Sequence, residues 1–316
     1  MTKVCVVGAG AVGSHLAAWL ARGGLQVSML ARGAALAAVN ANGLRFESAQ
    51  ATFTVNPRAS DDALVLGEQD LVIVALKANA LPDAAEAMLP LLGPQTPMVF
   101  AVNGIPWWYA PQDLPLLDPQ RKLARTIGVQ RAVGCVVSSP NTLRAPGVVH
   151  NSATVNRFVF GEPEGGMSER LQRWLDVLQP LLPGAMGTAS IRTAIWSKLL
   201  LNVPESTLAL LTLSDAIDFM ANPEIAVLCD VLLRETAAVA SAEGFDVGSD
   251  IAERRAQMGR VRHSPSMLQD LRKGRAVESD AQLTAVQALA RRRTVATPLL
   301  DTLLPLLEQR VRTGRA

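Results

Sequence analysis

Apolar positions along this 316-residue chain follow two rhythms, and the change falls near residue 190. Upstream, short apolar runs at Val4–Val7, Gln26–Ala31, Leu71–Leu76 and Met98–Val102 read as strands, with further extended runs at Ala132–Val137, Val148–Asn151 and Arg157–Gly161. Helical spacing of apolar residues lies between several of them, notably over Gly13–Arg22, Leu81–Leu92 and Ser168–Leu181. That alternation predicts an α/β, doubly wound, mostly parallel sheet. Downstream, helical spacing recurs over Thr193–Leu211, Pro223–Glu243, Asp250–Val261, Asp280–Arg292 and Pro298–Arg312, which predicts an all-helical second domain. Turn residues agree with the division. Residues 1–191 hold 18 of the 23 glycines and 14 of the 19 prolines. Pro183-Gly184 and Gly187 mark the expected linker, giving domains over 1–188 and 189–316.

The first strand leads into Gly8-Ala9-Gly10-Ala11-Val12-Gly13, a G-x-G-x-x-G that opens a helix. The first glycine permits a tight turn, the second lets backbone approach a pyrophosphate, and the third lets helix lie close on strand. The free N–H groups and positive dipole of the helix then face that pyrophosphate. A dinucleotide site that takes both ribose hydroxyls usually ends its second strand in Asp or Glu. Here Arg32 stands there and suits the 2′-phosphate of NADP, the bland alternative being an incidental surface arginine.

Composition narrows the class. Hydrophobic residues make up 49% and charged residues 18%, with a net charge of +2, as expected of a globular chain with a sizeable core. No basic run is interleaved with aromatics, so no nucleic-acid partner is expected. Arg291-Arg292-Arg293 reads as a solvated helix face. No apolar run reaches spanning length, so no membrane partner is expected either. Cys5, Cys135 and Cys229 form no metal-ligand or disulfide pattern, which points to a reducing compartment, the cytoplasm.

Three more segments carry candidate chemistry. IVALK ends a buried strand in Lys77, and Asn103-Gly104 follows the next strand. Both fall at the carboxyl ends of strands, where open α/β sheets bind ligands, although Asn-Gly alone is an ordinary turn. In WSKLLLN, Lys198 and Asn202 are one helical turn apart, about 6 Å along the axis. A lysine on such a helix otherwise snorkels to water. His15, His150 and His263 read as structural, His263 as a loop or cap residue.

Taken together, these segments resemble the ketopantoate reductase (2-dehydropantoate 2-reductase) family along nearly the whole chain. GAGAVG, Arg32, Lys77, Asn103-Gly104, WSKLLLN and PSMLQDLRKGRAVESD at Pro265–Asp280 carry the resemblance. It implies a Rossmann-type domain, a helical domain, an active site between them, and NADPH as the reductant of a 2-oxo acid. On that resemblance Gly8–Gly13 hold the pyrophosphate and Arg32 the 2′-phosphate. Lys77, Asn103 and Glu278 contact the cofactor, and Asn103 the substrate also. Lys198 is the proton donor, and Asn202, Ser206 and Ser266 bind substrate. A lysine is a weak acid at its ordinary pKa, so this role calls for burial or a nearby cation.

Departures from the family pattern lie on the substrate side. Ser206 stands where a second asparagine is usual, and Pro204 before it is expected to kink or unwind the helix. Ala281-Gln282-Leu283-Thr284 replaces a frequent Asn-Gly, and Val277 a usual threonine. Ile105-Pro106-Trp107-Trp108 is bulkier than the small residues common there. Two alternatives therefore stay open: reduction of a different, bulkier 2-oxo acid or an imine, and a non-catalytic dinucleotide-binding regulator. The helical part is large enough to bury a homodimer interface, although no residue pattern requires one.

Overall fold

The computed structural model describes residues 1–248, 250–258 and 264–314, and within them the chain forms two compact units, Met1–Ile191 and Arg192–Ala316. His263 and part of the expected Asp250–Val261 helix lie outside the described residues.

The first unit contains the strands β1 (Lys3–Val7), β2 (Gln26–Leu30), β3 (Leu44–Glu47), β4 (Thr52–Val55), β5 (Arg58–Ser60) and β6 (Leu71–Val74). These are followed by β7 (Met98–Phe100), β8 (Ala132–Ser138), β9 (Asn141–Ala145), β10 (Val148–Asn151), β11 (Arg157–Gly161) and β12 (Ala185–Gly187). Its α-helices are α1 (Ala11–Arg22), α2 (Gly33–Asn42), α3 (Ala63–Leu66), α4 (Leu81–Ala84), α5 (Lys122–Thr126) and α6 (Glu169–Leu178). The large sheet runs β12-β11-β8-β7-β6-β1-β2-β5. From β5 to β8 every pairing is parallel. Then β11 lies antiparallel on β8, and β12 parallel on β11. Chain order therefore reverses at β1 and β6, the arrangement that opens a ligand crevice beyond the carboxyl ends of the strands. Val4, Val6, Leu71 and Ile73 join Leu16, Leu20 and Met29 in the core, because central parallel strands are covered on both faces.

A second, four-stranded sheet, β4-β3-β10-β9, packs against the other side of α1. Val149 pairs with Phe46 across about a hundred residues of sequence. On α1, His15 meets Phe46 edge-on at 5.1 Å, and Trp19 meets Phe46 and Phe53. The dinucleotide helix is thereby clamped by aromatic packing as well as by the main sheet.

Three expectations need correction. Ala185–Gly187 is not linker but the edge strand β12, entered through Gly184 in a left-handed conformation (φ 88°), where the close approach of Asn156 O excludes a Cβ. Leu81–Leu92 is not one helix. The α-helical turn α4 gives way to a 3₁₀ stretch over Glu86–Leu91, where Pro90 lacks the N–H an α-helix would use. Trp107 and Trp108 are 2% and 1% exposed; Trp107 packs on Phe100, and Trp108 lies against Gly134. Their bulk fills the core of the first unit.

The second unit is helical: α7 (Ile191–Thr212, its first residue closing the first unit), α8 (Ala216–Met220), α9 (Pro223–Ala242), α10 (Ile251–Gln257), α11 (Ser266–Arg272), α12 (Ala285–Arg292) and α13 (Pro298–Thr313). Around α9 pack α8, α10, α12 and α13. Its buried Glu235 accepts from the Leu299 and Leu300 N–H groups (2.8 and 2.9 Å), which satisfies free donors at the start of α13. Arg292 and Arg293 both reach Glu243, so the arginine cluster closes a helix end instead of facing only solvent.

Candidate active site

The turn before α1 follows from what Gly8 and Gly13 leave out. Gly8 sits at φ 103°, and a Cβ there would lie 2.9 Å from Leu76 Cδ2 and 3.0 Å from Ala75 O. At Gly13 a Cβ would fall 2.0 Å from Gly8 O, so only glycine lets α1 approach the turn this closely. Gly10 differs: a Cβ there would meet nothing within 4 Å. The turn is tied down by Gly8 N donating to Leu30 O (3.0 Å) and Ser14 N to Gly10 O (2.9 Å). No side chain caps α1 and no acid sits in its first turn, so its leading N–H groups carry no side-chain acceptor, and the space a Gly10 Cβ would enter is open. These features fit a dinucleotide pyrophosphate; Ala9, Ala11 and Val12 lie in the same turn and first helical residues.

Arg32 follows β2 as the N-cap of α2, exposed and extended (φ −140°), and α2 also begins without an acid. Lys77 follows β6 at the head of a 3₁₀ turn, and half-buried Asn103 follows β7 beside Gly104 (φ 84°). Because β1, β2, β6 and β7 run parallel, these positions and Gly8 follow strand ends at the same edge of the sheet. A surface cavity of about 870 Å³ opens at the opposite, amino ends of the strands, lined by Lys3, Asp70, Gly93 and Arg173. At its rim the Lys3 backbone N–H donates to Asp70 Oδ2 at 2.8 Å; the cavity lies away from the strand ends that carry Gly8, Arg32, Lys77 and Asn103.

In the second unit, α7 runs unbroken as α-helix through Pro204, so the expected unwinding does not occur. Its Ile195, Trp196, Leu199, Leu200, Val203 and Leu208 are buried. Against that apolar background Lys198 and Asn202 form a half-buried polar stripe, continued by Glu205 and by Ser206, which is 4% exposed. Ser266 opens α11 and is exposed; Glu278 is buried. Lys77, Asn103, Lys198 and Glu278 each engage other groups of the chain.

Two polar groups on these elements escaped sequence reasoning. Glu205 is pushed up to about 7, first by burial and then by the nearby Asp215 charge. Its position three residues after Asn202 was the available signal. Gln282 accepts a hydrogen bond from Asn202 Nδ2 at 3.3 Å. With 80 residues between the two, no sequence spacing announces it. In the first unit, fully buried His15 pairs through Nδ1 with Asn141 Oδ1 (2.8 Å). Burial pushes its imidazole down to about 4, so it is a neutral structural residue. No group of three or more His, Cys, Asp or Glu among the described residues could hold a metal ion.

The family description Ketopantoate reductase PanE/ApbA matches residues 4–165, and its C-terminal counterpart matches residues 190–311. The chain belongs to the ketopantoate reductase family. A 2-dehydropantoate 2-reductase of Mesorhizobium japonicum is 37% identical, with 97% of each chain covered. A candidate ketopantoate reductase structure from Ralstonia solanacearum MolK2 is 35% identical, with 99% of each chain covered and a TM-score of 0.92. The ternary structure of D-mandelate dehydrogenase with NADH and anilino(oxo)acetate shares the fold (TM-score 0.86, all of each chain covered) at 20% identity. The chain is thus an oxidoreductase of this family, built on a dinucleotide-binding sheet unit and a helical unit. No helix among the described residues is long and apolar enough to cross a membrane.

Proposed function

We propose that this chain reduces a 2-oxo acid to a 2-hydroxy acid with NADPH, the substrate being 2-dehydropantoate and the product pantoate, a cytoplasmic step of pantothenate biosynthesis. The observation that carries the reading is the half-buried Lys198–Asn202 pair, one turn apart on an unbroken helix whose Ile195, Trp196, Leu199, Leu200 and Val203 are buried. In this reading the reduced nicotinamide supplies a hydride when bound. The backbone N–H groups at the start of α1 hold the pyrophosphate above Gly10, and the Arg32 guanidinium takes the 2′-phosphate as a charge-assisted pair. Lys77, Asn103 and Glu278 line the cofactor. The Lys198 ammonium donates to the ketone oxygen, stabilises the negative charge developing there and delivers the proton that completes the hydroxyl. Asn202, Asn103, Ser206 and Ser266 orient the substrate's polar groups.

A second reading keeps the chemistry and changes the substrate. Ser206 is smaller than the asparagine usual in the family, which leaves room for a bulkier 2-oxo acid. Trp107 and Trp108 no longer support that reading, since both are core residues. The test is oxidation of NADPH and NADH measured against a panel of 2-oxo acids that includes ketopantoate and phenylglyoxylate. The proposal expects the highest kcat/KM for NADPH with ketopantoate. A preference for phenylglyoxylate moves the assignment to the second reading, and no oxidation with any member rejects both.

A further inference from the structure

Gln282 stands in a single π-helical turn, Asp280–Thr284, which runs into α12 four residues after Glu278. Such turns re-aim side chains and occur often at functional sites. The side chain is 1% exposed. Its Oε1 accepts from Asn202 Nδ2 at 3.3 Å, while its Nε2 is buried and has no hydrogen-bond partner among the described residues. An unmet buried amide donor is unfavourable. Met or Leu would fill similar space without that cost, so packing does not explain an amide here. What the amide does is fix its neighbour. The terminal torsion of an asparagine is broad and its two ends differ in chemistry, one donating and one accepting. With Nδ2 engaged on Gln282, Asn202 is held one turn from Lys198 with its Oδ1 left to accept from a ligand.

We infer that Gln282 is a positioning residue that fixes the Asn202 amide for substrate recognition. This rests on Asn202 being a substrate ligand, and the test separates the two ideas. Steady-state KM and kcat for the best 2-oxo acid, NADPH Kd and thermal melting are measured for Gln282→Met, Gln282→Leu, Gln282→Glu, Asn202→Ala and the Asn202→Ala/Gln282→Met double variant. The two apolar variants should raise the 2-oxo acid KM about three- to tenfold, the effect of one ordinary hydrogen bond, with kcat and NADPH Kd within about twofold. Gln282→Glu keeps an acceptor for Nδ2 and should retain a KM near that of the unmodified enzyme. In the Asn202→Ala background Gln282→Met should add nothing, because the group it orients is gone.

The inference is overturned if Asn202→Ala raises KM while both folded apolar variants leave it unchanged, or if Gln282→Met acts equally with and without Asn202. A lowered melting temperature with unchanged KM likewise reduces Gln282 to a structural role. If Asn202→Ala itself leaves KM unchanged, Asn202 is not a substrate ligand, and the inference falls with that reading.

Discussion

Gly10 and Gly13 belong to one fingerprint but should fail in opposite ways when given a methyl group. In Gly13→Ala the new Cβ lies 2.0 Å from Gly8 O, a backbone atom that cannot swing aside, and 3.2 Å from Ala75 Cβ. Relieving that overlap requires α1 to move off the turn by more than an ångström, at about 1–3 kcal/mol of stability, the usual range for overpacking. Gly10 adopts φ −73° and ψ −176°, which any residue tolerates, and its Cβ would meet nothing within 4 Å. Gly10→Ala should therefore change unfolding free energy by no more than about 1 kcal/mol, the scale of a Gly–Ala exchange. Its methyl group nevertheless occupies the ground proposed for the pyrophosphate, so NADPH should bind roughly tenfold or more weakly, about 1.4 kcal/mol. Urea unfolding without cofactor and fluorescence titration with NADPH separate the two effects. A Gly10→Ala enzyme that binds NADPH within twofold of the unmodified enzyme would refute the placement of the phosphate. A Gly13→Ala enzyme of full stability would refute the packing argument.

Arg32→Asp should remove most of a preference for NADPH over NADH, roughly ten- to hundredfold in kcat/KM for one charge-assisted bond; equal use of both cofactors by the unmodified enzyme would contradict the role of Arg32. Ser206→Asn restores the side chain usual in the family and should raise kcat/KM for ketopantoate; a fall would favour the bulkier substrate. His15 gives a pH signature. Its folded pKa is depressed from 6.5 to about 4, so the unfolded chain takes up a proton first as pH falls. The associated stability, about 3 kcal/mol, is fully present above pH 6.5 and is lost as pH falls through about 4. Urea midpoints from pH 7.5 to 4.5 should decline more steeply for the unmodified enzyme than for His15→Asn; parallel curves would contradict a buried neutral imidazole.

The half of the fold nearest the fingerprint was legible because its signals are local. Gly8, Gly10 and Gly13 fix strand, turn and helix within a dozen residues, and the strand ends at Arg32, Lys77 and Asn103 follow by alternation. The second sheet was legible only at Val148–Asn151, which read as an extended run. Leu44–Glu47 and Thr52–Val55 are four-residue strands, and the second partner of β3, Val148–His150, lies far along the chain. Pro183 and Gly184 looked like a linker because turn residues also introduce an edge strand, and only pairing with Phe158–Phe160 distinguishes the two. Pro204 was expected to disturb α7. Burial of the apolar residues around it favours an unbroken helix despite one missing hydrogen bond. At the candidate site, Lys198 and Asn202 were visible through their one-turn spacing. The link from Asn202 to Gln282 was not, since it depends on a π turn that places a distant amide against α7.

If α7 carries the proton donor of a 2-oxo acid reductase, Lys198→Ala removes that donor. The measurement is kcat with the best 2-oxo acid, alongside NADPH Kd for the same preparation. The expected result is a loss in kcat of about 10²–10⁴, the range for a positioned acid, with NADPH Kd nearly unchanged because the proposed phosphate contacts lie in the first unit. A Lys198→Ala enzyme that turns over at a near-normal rate would contradict the role of Lys198 as that donor.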